Sequence, residues 1–148
     1  MKIYVGNDHA GVLKKKQIVS FLTSLNHEVI DLGSQDSTSF DDYVDYANAV
    51  AQSVVKSRGT AKGILLCGTG TGMVIAANKV AGVRAGLCYD LYTAKKARED
   101  NDANILCLRS RGVSTEKLKP VVKTWLQTKF SRKTRHKRRI QKIKRLEK

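Results

Sequence analysis

A chain of 148 residues, 41% of them hydrophobic, fits one domain with a real core. A single proline argues against long disordered linkers, and no run of about 18 apolar residues is present to cross a membrane as a helix. Three cysteines, an odd number with no CxxC or Cys/His spacing, argue against a disulfide framework and a zinc site and fit free thiols in a reducing cytoplasm. The formal charge is +15, of which Ser131–Lys148, with ten Lys/Arg and one Glu, carries +9. Such a tail reads as a solvated charged helix, an electrostatic arm for RNA or a membrane surface, or a phosphate site.

The chain opens on a strand, Lys2 to Asn7, rather than on a signal peptide. Gly11 to Ser24 follows as an amphipathic helix, with lysines between Val12, Leu13, Ile18, Val19 and Leu22. His27 to Leu32 is a second strand and Gly33 to Phe40 a loop. Asp41 to Lys56 is a helix, with Asp41 or Asp42 available as its cap. Gly63 to Cys67 is a third strand, and Gly72 to Val80 a helix. Val83 to Cys88 and Asn104 to Leu108 read as strands four and five, flanking a helix over Leu91 to Asp100. Ser114 to Phe130 is the next helix. In the tail, Ile140, Ile143 and Leu146 recur at i, i+3 and i+6, one apolar stripe that must pack on something. Five alternations of strand and helix predict a single Rossmann-like α/β domain: a five-stranded parallel sheet flanked by helices, with a basic C-terminal helical arm.

The most informative stretch is Cys67-Gly68-Thr69-Gly70-Thr71-Gly72. A thiol ends a buried strand, and a glycine-rich loop can then aim several backbone N–H groups at one anion, with a helix start behind them. Its positive field favours a thiolate. A thiol beside an anion cradle suits proton abstraction next to a carbonyl, because the developing enolate is stabilised where it forms. The plain alternative is a small buried cysteine. Cys88 and Cys107, without such a loop, read as core. The loop is neither a Walker A motif nor a good dinucleotide fingerprint.

Asp8 and His9 follow the first strand, at the same carboxyl end of an open sheet. Asp8 also reads as a helix cap; His9 can donate to a phosphate. Asp100-Asn101-Asp102-Ala103-Asn104 reads first as a turn or helix end, and Arg111 follows the fifth strand. Arg135 and Arg139 share one helix face, an arrangement suited to a phosphate monoester.

These motifs together, with Asp42-Tyr43-Val44-Asp45-Tyr46-Ala47, Ala76-Ala77-Asn78-Lys79, Ser110-Arg111 and Arg135-His136…Arg139, resemble the ribose-5-phosphate isomerase B / galactose-6-phosphate isomerase family over nearly the whole chain. The resemblance implies metal-free aldose–ketose isomerisation through an enediolate, without a cofactor, in a homodimer, or a tetramer of paired dimers, whose active sites lie between subunits. It makes Cys67 the base and Thr69 an aid to proton transfer at the sugar oxygens. Asp8, Tyr43 and the partner's Asn101 would contact the sugar; Gly68, Gly70, Thr71 and Gly72 would hold the enediolate. His9, Arg111, Arg135 and Arg139 would bind the phosphate, some of them from the partner, and the arm's stripe would pack across the dimer. Where the family carries a histidine credited with ring opening, this chain carries Asp100. It also has Val44 for a usual proline and Arg132-Lys133-Thr134 for a glycine-rich approach to Arg135. An ionised carboxylate is a poor acid, so five-carbon and six-carbon substrates both stand, the latter reminiscent of the B subunit of galactose-6-phosphate isomerase. A basic nucleic-acid binder without catalysis is the reading from another class.

Overall fold

The structure, a computed structural model, describes residues 1–147. Five strands, β1 (Lys2–Asn7), β2 (Glu28–Asp31), β3 (Ala61–Cys67), β4 (Ala85–Leu87) and β5 (Ile105–Arg109), form one parallel sheet in the order β2-β1-β3-β5-β4. Six helices connect and cover them: α1 (Val12–Ser24), α2 (Tyr43–Lys56), α3 (Thr71–Ala77), α4 (Leu91–Glu99), α5 (Thr115–Gln127) and α6 (Thr134–Lys144). The expected Rossmann-like α/β domain is what is found. Among the described residues no helix is long and apolar enough to cross a membrane.

Alternation along each strand sends successive side chains to opposite faces. Ile64 and Leu66 of β3 join Ile3, Val5 and Leu106 under Ile18 and Leu22 of α1 and Val122 and Trp125 of α5. Leu65 and Cys67 face the other way, against Val50 and Val54 of α2 and Met73 of α3. Each fully buried large apolar side chain contributes about 1.5–3 kcal/mol. The strand order reverses between β1 and β3, whose carboxyl ends therefore flank a crevice outside the sheet.

Several boundaries differ from the sequence reading. Strand β3 starts two residues early, because Lys2 and Ile3 pair with Ala61 and Lys62. The edge strand β4 is shorter than Val83–Cys88: the Asn104 side chain takes the Arg84 N–H and Asn78 that of Ala85, replacing ladder bonds. Asp42 sits at the start of α2 without capping it through its side chain, and Asp41 is committed elsewhere. In the arm, Ile140 is already buried within its own chain, whereas Ile143 and Leu146 remain 38% and 79% exposed along a groove with Asn78, Lys79 and Val83.

Candidate active site

Cys67 ends β3 with its side chain toward α2 and α3. Its Sγ accepts a hydrogen bond from the Gly70 N–H at 3.1 Å. Gly70 has φ +82°, a left-handed turn that folds the loop back onto the sulfur and starts α3. A Cβ there would stand 2.5 Å from Leu87. Two side chains press on the neighbouring glycines: the Arg111 guanidinium lies 3.3 Å from where a Gly68 Cβ would be, and the Tyr43 ring 2.7 Å from where one on Gly72 would be. Thr69 is exposed at the loop's tip and borders a cavity of about 290 Å3 with Leu87, Tyr89 and Arg109.

Asp8 caps the turn after β1 by accepting from the Ala10 N–H at 3.0 Å. The residue is 6% exposed, and burial raises its pKa against the opposing effects of His9 and the Ala10 amide. His9 is held by Asp41, whose Oδ1 lies 2.8 Å from the His9 backbone nitrogen and 2.9 Å from Nδ1. The Tyr46 hydroxyl donates to the other carboxylate oxygen. Burial would raise the Asp41 pKa, but hydrogen bonds from Ser34, His9 and Tyr46 outweigh it and hold the carboxyl far below its ordinary range. With Nδ1 so occupied, the other ring nitrogen of His9 is the one available to a ligand. Ser110 ties the three strand ends together: its hydroxyl lies 2.9 Å from both Ala10 O and Cys67 O, and its N–H also donates to Cys67 O.

Asp8, His9, Tyr43, Cys67, Gly68, Thr69, Gly70, Thr71, Gly72 and Arg111 thus meet at the carboxyl edge. Asp100, Asn101, Arg135 and Arg139 do not. Helix α4 runs back across the sheet, so Asp100, at its end, and Asn101 lie by the start of β5. Gly63 there bonds to Asn104 O, and the four residues from Gly63 to Cys67 span about 13 Å. The arm joins this second cluster through the Ser131 N–H, which donates to Glu99 O. His136, 2% exposed, stands at its centre. Arg135 Nε donates to His136 Nε2 at 3.0 Å, Ser131 Oγ is 2.7 Å from Nδ1, and Asp100 Oδ1 is 3.7 Å from Nδ1. Both ring nitrogens are engaged, so His136 orients Arg135 instead of facing solvent. Arg139 projects from the same helix face one turn on and is exposed.

The sequence offered Asp41 only as a helix cap and gave Tyr46, Ser110 and His136 no role of their own. Those three stood inside recognised motifs, the signal that could have found them. Burial pushes the Cys88 thiol up to about 12 and raises that of Cys107 further, as befits core cysteines.

An open parallel sheet with a thiol and an N–H-lined loop at its switch point is the layout of an α/β enzyme. The family model described as Ribose/Galactose Isomerase matches residues 3–143, and the chain belongs to that family of isomerases. Ribose-5-phosphate isomerase B of Escherichia coli is 42% identical over 96% of this chain and 93% of its own length. The Clostridium thermocellum ribose-5-phosphate isomerase B structure superposes with a TM-score of 0.94 at 44% identity, covering 99% of this chain and 97% of that one. The Mycoplasma genitalium enzyme, solved with bound ribulose-5-phosphate, gives 0.94 at 42% identity, covering 99% and 95%.

Proposed function

We infer that this chain interconverts ribose 5-phosphate and ribulose 5-phosphate by proton transfer through an enediolate. The observation that carries the reading is the Cys67 sulfur at the switch point, 3.1 Å from the Gly70 N–H of a loop whose Gly68 lies under the Arg111 guanidinium. The names of the relatives and the sugar phosphate bound to one of them support the substrate class. In this reading the Cys67 thiolate removes the C2 proton of the open-chain aldose, and the carbonyl at C1 becomes the enediolate oxygen. Loop N–H groups of Gly68 to Gly72 stabilise that charge. The thiol then returns the proton to C1 while a hydroxyl proton moves between the two oxygens with the help of Thr69, leaving a C2 carbonyl. Asp8 and Tyr43 hold the sugar. His9 and Arg111 hold the phosphate together with Arg135 and Arg139 of a second copy in a homodimer, which also supplies Asn101 and Asp100. The free, buried cysteines fit a cytoplasmic setting.

Asp100, standing where the family pattern has a histidine, favours a second reading, a six-carbon sugar phosphate such as galactose 6-phosphate. Assaying the purified chain on each substrate separates the two: faster turnover of ribose 5-phosphate upholds the first. Cys67→Ala is expected to lower kcat by about 10²–10⁴-fold while the melting temperature and substrate binding stay close to wild type. Undiminished turnover would rule out the thiol as base.

A further inference from the structure

Far from the Cys67 loop, at the amino edge of the sheet, a cavity of about 640 Å3 opens between the start of β3 and the end of α5. Its size falls within the about 300–1,000 Å3 of small-molecule sites. Four cationic side chains line it, Lys62, Arg98, Lys129 and Arg132, against one carboxylate, Asp102. That carboxylate is already shared: Arg98 Nη1 lies 2.8 Å from Oδ1 and Arg84 Nη2 3.2 Å from Oδ2. Lys62 is left without a carboxylate of its own among the described residues. Arg98 is held in place by the Ala103 carbonyl at 2.6 Å and by the Trp125 ring beneath it. Two residues on the wall, Asp102 (φ 45°) and Arg132 (φ 56°), adopt the left-handed backbone that non-glycine residues avoid. The opposite wall is apolar, with Leu126 and the half-buried Phe130.

We propose that this cavity is a second anion site, which binds a nucleoside polyphosphate with its phosphates on Lys62, Arg98 and Arg132 and its base against Phe130. Lys62, Lys129 and Arg132, none of them paired with a carboxylate among the described residues, attract a polyanion beside the engaged Arg98, and an aromatic face next to them takes a flat ring. Burial, with the neighbouring charges of Arg98 and Arg84, pushes the Lys62 ammonium below its ordinary range, a strain that a bound phosphate would relieve. The site shares no residue with the isomerase reading and does not depend on it.

Calorimetric titration of the full chain with adenosine diphosphate tests this, with pyrophosphate and adenosine titrated alongside. Adenosine diphosphate is expected to bind, pyrophosphate more weakly, and saturating ribose 5-phosphate to leave the binding intact. The pair Lys62→Met and Arg132→Asn should weaken it by about tenfold or more with sugar-phosphate turnover unchanged. Lys129→Glu, at an exposed position, should weaken it in a chain that folds as wild type. Absent binding, displacement by ribose 5-phosphate, equal affinity for pyrophosphate, or indifference to these substitutions would each overturn the proposal.

Discussion

Asp8 holds a turn and faces the crevice with the same carboxyl. Because burial raises its pKa above the ordinary 3.8, folding favours the protonated form. The stability this confers is complete below that value and is lost as pH rises through the folded-state value. At neutral pH the chain therefore bears the cost of a buried carboxylate. Asp8→Asn keeps an oxygen for the Ala10 N–H and removes the charge. Its melting temperature at neutral pH is expected to equal or exceed wild type, with the gap closing below about pH 3. If Asp8 grips the sugar, kcat/KM should fall by about tenfold or more. Thermal melts across pH and steady-state kinetics on one preparation read both effects, and a variant that loses stability at neutral pH would refute the burial argument.

The β3–α3 loop shows how two glycines two positions apart carry different constraints. At Gly70 a methyl would collide with Leu87 and the Leu108 backbone in a left-handed conformation. Gly70→Ala is expected to cost about 1–3 kcal/mol of stability, read as a lower denaturation midpoint. At Gly72 the obstacle is the Tyr43 ring, 40% exposed and free to swing outward. Gly72→Ala should leave the midpoint nearly unchanged and raise KM, since the displaced ring is a candidate sugar contact. The loop itself was legible in the sequence, because a buried apolar run, alternating glycines and a helical period are all local signals. The five strands were legible for the same reason. What supports them was not: Asp41 reads locally as a helix cap, yet it orients His9, 32 residues away. Ser110 bridges to Ala10 across 100 residues. No period or spacing encodes contacts at such separations. The contraction of β4 likewise depends on side chains of Asn78 and Asn104 brought in by other elements.

At the scale of the whole molecule, the residues that the family resemblance assigns to one site stand at two ends of the sheet. Cys67, His9 and Arg111 close the carboxyl edge, while Asp100 and Arg135 gather around His136 at the amino edge, where Asn101 also lies. Parallel topology imposes the split, because each connecting helix returns the chain to the edge where the next strand begins. A rigid sheet lies between the clusters, so no side-chain motion unites them within one chain. If both belong to one reaction, a second copy must bring its amino edge to the first copy's loop, and by twofold symmetry the reverse contact forms as well. Complementation is the consequence. Cys67→Ala removes the base from one chain, and Arg135→Ala removes a phosphate ligand from the other. Each variant alone should be almost inactive. Co-expressed with different tags, they form mixed dimers in which one site carries both defects and the other neither. With random pairing about one quarter of all sites are intact, and the mixture should recover about that fraction of wild-type turnover. Sites built within single chains would give no recovery at all, and the amino-edge arginines would then need another role.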